Sequence, residues 1–301
     1  VDVLLSQANE REKAYDWLSS VDLYRTALSK IPDQDILKTG EVHELIGYGF
    51  FRAACQADSV EEFKKRMQTS VDIYGKAAEL FEKVEPDREL YCRAMARYSN
   101  SWFVEAPSQK KELLDDCWRL MTEAFASFEA SQNWLGCAKA FRGLWFCLWE
   151  RFRLEGVWRE VKRIAEEAVN YGQKTISMLS ESSSADELAW AYVLTSLSMA
   201  FWLDYFDERR AEFVSLISNY LEKAMKLKEK TEDGHLLFFM NYTLTYNSVF
   251  VKPDWSAAWR YVRETLRQSE KSRDHYLMGI GYSFIAGGFA YEAITEEVPE
   301  E

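Results

Sequence analysis

Little in this sequence interrupts a helix. The 301 residues include only 5 prolines and 13 glycines, the two residues that most often punctuate a chain. No Asn-Gly or Asp-Gly turn joins two alternating apolar runs, so hairpins are not expected. Apolar runs long enough for a bilayer are missing too. The nearest, Leu188 to Leu203, is uncharged but short, and Asp204 and Asp207 follow it. The first residues, Val1-Asp2-Val3-Leu4-Leu5-Ser6, lack the basic start of a secretory signal. They also lack a Met, which suggests an excised segment of a larger chain.

Other absences narrow the chemistry. Three histidines, His43, His235 and His275, stand far apart, and no Cys-x-x-Cys or His-x-x-x-His spacing occurs. A zinc site is therefore not expected. No glycine-rich phosphate loop and no Gly-x-Ser-x-Gly elbow is present. Gly279, Gly281, Gly287 and Gly288 lie in a helical pattern instead. The net charge of −12 argues against general nucleic-acid binding, which needs clustered cations. Five cysteines, Cys55, Cys92, Cys117, Cys137 and Cys147, form no paired framework. Buried free thiols and a cytoplasmic, reducing setting are expected.

What is present is helical periodicity, almost without break. Interruptions such as Glu85-Pro86-Asp87, Ala106-Pro107-Ser108, Glu155-Gly156, Ser182-Ser183-Ser184 and Pro253-Asp254 often supply a capping residue for the next helix. About 13 helices result. They pair as 2–16 with 18–31, 36–56 with 59–84, 88–104 with 108–131, 133–153 with 157–181, 185–205 with 208–231 and 235–251 with 254–271. A last helix, 274–295, stands alone. Short connections make neighbours antiparallel. The expected fold is all-α, a right-handed superhelix of about six antiparallel helix pairs plus a terminal helix. One domain would span 1–295, and 296–301 would form a disordered acidic tail.

The chain also repeats itself. Ser20-Val21-Asp22-Leu23-Tyr24-Arg25-Thr26-Ala27 recurs as Ser70-Val71-Asp72-Ile73-Tyr74-Gly75-Lys76-Ala77. Tyr and Ala three apart share a helix face, so a bulky residue sits beside a small one. With Ala8 and Pro32, the first unit resembles a tetratricopeptide repeat in its spacing of small, small, aromatic, small and proline. The second unit keeps Ser70, Tyr74 and Ala77, with Pro86 late. Later units keep only a helix pair. The resemblance implies an adaptor or sensor whose first-position helices line a concave groove for a peptide or partner protein.

Acidic clusters at Asp115-Asp116 and at Asp204, Asp207 and Glu208 suit surface and capping roles better than magnesium binding. Tryptophans 145, 149, 190 and 202 suit packing better than sugar stacking. Polar stripes are more telling. Arg93, Arg97 and Asn100 share one helix face. Lys139 and Arg142 follow on the next first-position helix, and Asn241, Thr245 and Ser248 form a third stripe. If first-position helices line the groove, these eight residues are the candidate partner-binding set. They would grip an acidic or extended peptide. No catalytic residue, cofactor or metal is implied. The apolar C-terminal helix offers a route to a homo-oligomer. A small-molecule sensor and an α/α-toroid or isoprenoid-synthase-like enzyme are the alternatives.

Overall fold

The computed structural model describes residues 1–154, 158–179, 184–203, 207–231 and 233–296. The expected breaks at 155–156 and 182–183, Asp204 and the tail beyond 296 lie outside them. Thirteen α-helices and no strand occur among the described residues. They follow in pairs. The first two are α1 (Asp2–Lys13) with α2 (Trp17–Leu28) and α3 (Ile36–Ala54) with α4 (Val60–Phe81). Then come α5 (Pro86–Ser101) with α6 (Pro107–Ala130) and α7 (Trp134–Leu154) with α8 (Trp158–Leu179). The last are α9 (Ala185–Leu203) with α10 (Arg210–Leu227) and α11 (Gly234–Tyr246) with α12 (Trp255–Ser272), followed by α13 (His275–Glu296). Among these described residues, no helix is long and apolar enough to cross a membrane.

Local chemistry sets most boundaries. The Ser59 hydroxyl accepts from the Glu62 amide at 3.1 Å, and Asp254 accepts from the Ala257 amide at 2.9 Å. Each satisfies a donor that a helix start leaves free. Pro86 and Pro107 open α5 and α6, where a missing N–H costs nothing. One boundary differs from the expected helix over 235–251. After Tyr246 the backbone widens into a π-turn at Asn247–Val251.

Each helix packs on its chain neighbours, and α7, α9 and α11 also pack on one another in sequence. With α5 on α7, the odd-numbered helices from α5 to α11 thus form an inner layer. The repeated motif explains the close pairing. Ser70, Tyr74 and Ala77 are buried on α4 against α3. The Ser70 hydroxyl donates to the Gly47 carbonyl at 2.8 Å, and the Tyr74 ring lies 3.0 Å from where a Gly47 Cβ would stand. Ala8, Ser20, Tyr24 and Ala27 are buried in the same way in the first unit.

The two ends of the stack meet. The α12–α13 corner returns to the end of α3, where the His275 amide donates to the Cys55 carbonyl at 2.9 Å. Gln56 Nε2 donates to both the Tyr15 carbonyl, at 2.9 Å, and the Ser272 carbonyl, at 2.6 Å. Arg52 and Asp274 form an ion pair at 3.0 Å with side chains only 4% and 2% exposed. Tyr276 of α13 reaches farther inward, accepting from Trp149 Nε1 at 2.8 Å.

Candidate functional site

Joining the ends turns the inner layer into a chamber. A cavity of about 230 Å³ opens among α1, α3, α5, α7, α11 and α13. One wall is aromatic. Phe51, Trp102 and Tyr276 meet edge to face, with ring centres 5.6 Å and 4.9 Å apart, and Tyr98 lies 5.6 Å from Phe51. Such rings present apolar area with little conformational freedom to lose. The other wall is polar and carries Arg52, Lys139, Arg142, His235, Glu12 and Glu44. A second cavity of about 370 Å³ adjoins the first, sharing Glu12, Tyr48, Arg142 and His235.

The polar wall is strongly organised. Glu44 accepts from Arg88 at 2.8 Å and from Lys139 at 3.1 Å. Burial would raise its carboxyl, but Lys139 and Arg88 outweigh burial and hold it below the ordinary range. Arg142 reaches Glu187 with one nitrogen at 3.4 Å and lies over the Trp190 ring. His235 stacks on Phe146, 5.8 Å between centres, and its Nε2 lies 3.4 Å from an Arg52 nitrogen. Burial, then Arg52 and Arg142, keep this imidazole neutral. Two carboxyls thus line one chamber. Glu44 is committed to two cations and Glu12 to the Ser20 hydroxyl at 3.2 Å.

Glu12 is the cavity carboxyl that burial shifts toward neutrality. Burial pushes its carboxyl from 4.5 up to about 7. A raised carboxyl pKa means the folded state holds the proton more tightly than the unfolded chain does. The associated stability is present below about 4.5 and is lost as pH rises through about 7. Glu12→Gln should therefore flatten the decline in stability between pH 5 and 8, read from urea midpoints. An unchanged slope would show that Glu12 does not carry it.

The polar stripes divide. Lys139 and Arg142 come to the cavity, with side chains 41% and 25% exposed at its rim. The others are not brought there. Arg93 pairs with Glu89 at 2.6 Å, within its own helix. Arg97 pairs with Asp116 at 3.4 Å in an outer groove shared with Asp115 and Arg119. Asn100 is half-buried one turn beyond Arg97 but does not line the cavity. Asn241 and Thr245 are buried and donate to carbonyls of their own helix, Leu237 and Asn241, both at 2.8 Å. Ser248 is buried in the π-turn. Because α11 is enclosed on almost every side, its polar stripe has no open face to point to. Arg52, Tyr48 and His235 line the cavity without belonging to any of the stripes. A signal for Arg52 exists: it is the lone cation in the apolar run Ile46 to Cys55.

No family model and no curated protein matches this chain. Among solved structures it is similar to aspartyl phosphate phosphatase F from Bacillus subtilis, with a TM-score of 0.54 and 14% identity. That likeness covers 95% of this chain and 69% of that one. The fold is a tetratricopeptide-like α-solenoid. A circular tandem repeat protein with novel repeat topology also matches, with a TM-score of 0.34 and 9% identity, over 93% of this chain and 74% of that one. At 14% identity the likeness gives the solenoid its fold and transfers no activity.

Proposed function

We propose that this solenoid is a protein-interaction module whose inner face receives an acidic, extended segment of a partner. The carrying observation is the cavity itself. Rigid rings and the cations Lys139 and Arg142 converge at one rim, on helices that the inner layer holds in register. Tyr, Trp and Arg are the residues that most often dominate binding energy. The five buried, unpaired cysteines fit a cytoplasmic setting.

A photo-crosslinking residue at Leu45, on the same rim, should capture the partner. Lys139→Glu with Arg142→Glu should abolish that capture while leaving the far-UV circular dichroism unchanged. Truncating a desolvated charge contact costs about 2–5 kcal/mol, and reversal costs no less. Capture that survives the double reversal contradicts the reading.

A further inference from the structure

Beyond partner binding, the inner cavity has the chemistry of a small-ligand site. Arg52 is the first observation. It lies on the cavity wall, almost wholly buried, yet its Nε has no hydrogen-bond partner among the described residues. An unpaired buried donor is costly and asks for an acceptor. Arg142 is the second. Among the described residues its one ionic contact is a nitrogen at 3.4 Å from Glu187, and its guanidinium otherwise lies over the Trp190 ring. The carboxylates that balance these two arginines, Asp274 and Glu187, are not on the cavity wall. The wall carries three cations, Arg52, Lys139 and Arg142, against the carboxyls of Glu12 and Glu44, and Glu44 is already held by Lys139 and Arg88. In a chain of net charge −12, the positive charge left over for a ligand is local.

The remaining wall selects the body of the ligand. Phe51, Tyr98, Trp102 and Tyr276 form an edge-to-face cluster that a further ring could join. An aromatic cage often holds an ammonium cation. Here Arg52, Lys139 and Arg142 on the same wall oppose one. Neutral His235 adds no competing charge, and its Nε2, beside Arg52, accepts, which leaves Nδ1 as the donor. Size narrows the choice further. An apolar cavity of about 150 Å³ holds benzene. About 230 Å³ accommodates one ring with a short acidic side chain.

We propose that this cavity binds a small aromatic carboxylic acid, its ring among Phe51, Tyr98, Trp102 and Tyr276 and its carboxylate between Arg52 and Arg142. The carboxylate supplies the acceptor that Arg52 lacks and engages the free donors of Arg142. The ligand site lies in the same cavity and shares Arg142 with the partner at the rim.

Calorimetric titration of the whole chain tests it with three probes. 3-Phenylpropionate should bind saturably, one per chain. Its uncharged amide, 3-phenylpropionamide, should bind at least tenfold more weakly, and so should hexanoate, which keeps the charge and lacks the ring. Arg142→Met should remove the preference for acid over amide and leave amide binding unchanged. Lys139→Met provides a milder second variant, with a smaller loss in the same direction. No saturable binding of 3-phenylpropionate up to millimolar concentration overturns the proposal. So does equal binding of acid and amide, equal binding of hexanoate, or an undiminished acid preference in folded Arg142→Met. Any of these with crosslinking at Leu45 intact removes the small-ligand site and leaves the interaction module standing.

Discussion

Replacing Arg52 with methionine should destabilise the solenoid by about 3–5 kcal/mol, the usual cost of stranding one partner of a buried ion pair. Asp274 is 2% exposed and has its ionic partner in Arg52, 3.0 Å away. Methionine has similar bulk, so the loss is electrostatic and not a cavity. The same residue ties α3 to the α12–α13 corner, so local detachment of the corner would accompany the loss. Arg52→Met with Asp274→Asn should recover most of the stability. Asparagine removes the charge and keeps the oxygen that accepts from the Leu277 amide at 3.0 Å. The deficit of the single variant should also shrink in acid, where a protonated Asp274 no longer needs a counter-charge. Urea unfolding measures both effects. A single variant as stable as the parent would mean that the ends are not held by this pair.

Tyr74→Ala should cost a similar amount, about 3–5 kcal/mol, as for other large buried rings cut to alanine. Its ring is 1% exposed and lies against Gly47, where no side chain intervenes. Tyr74→Phe keeps the ring and should cost little, since the phenol makes no hydrogen bond among the described residues. The pair separates packing from polarity. If the alanine variant unfolds within about 1 kcal/mol of the parent, the repeat motif does not organise the second helix pair. Tyr74 also touches the inner cavity, so its loss should loosen the chamber as well as the pair.

These two residues also mark what the sequence could and could not disclose. Tyr74 was legible because its logic is local. A ring, a small residue three positions on and a recurrence in the preceding unit are visible in a string of letters. Caps at Ser59 and Asp254 and the openings at Pro86 and Pro107 were legible for the same reason. Arg52 and Asp274 were not. The contacts that close the stack join residues far apart in the chain, 216 positions in the case of Gln56 and Ser272. No periodicity reports such a meeting.

Helix rotation explains the division among the stripes. A stripe shows which residues share a face but not where that face points. Lys139 and Arg142 turn inward, whereas Arg97 turns toward Asp116 on the outside. The stripe of Asn241 and Thr245 has the right spacing on a helix with no free side. There a hydroxyl or amide is satisfied most cheaply by the preceding turn of its own backbone, as both are. Aromatic content points to packing or binding, and Trp102 and Tyr276 pack edge to face beside the cavity.

Hydrogen exchange with and without the crosslinked partner tests the central claim most directly. Binding at the inner face should slow exchange in Tyr48–Cys55, Tyr91–Trp102 and Lys139–Phe146, the segments that line the chamber. The outer helices α6 and α8 should change little. Protection confined to those outer helices, with the chamber segments unchanged, would contradict the account.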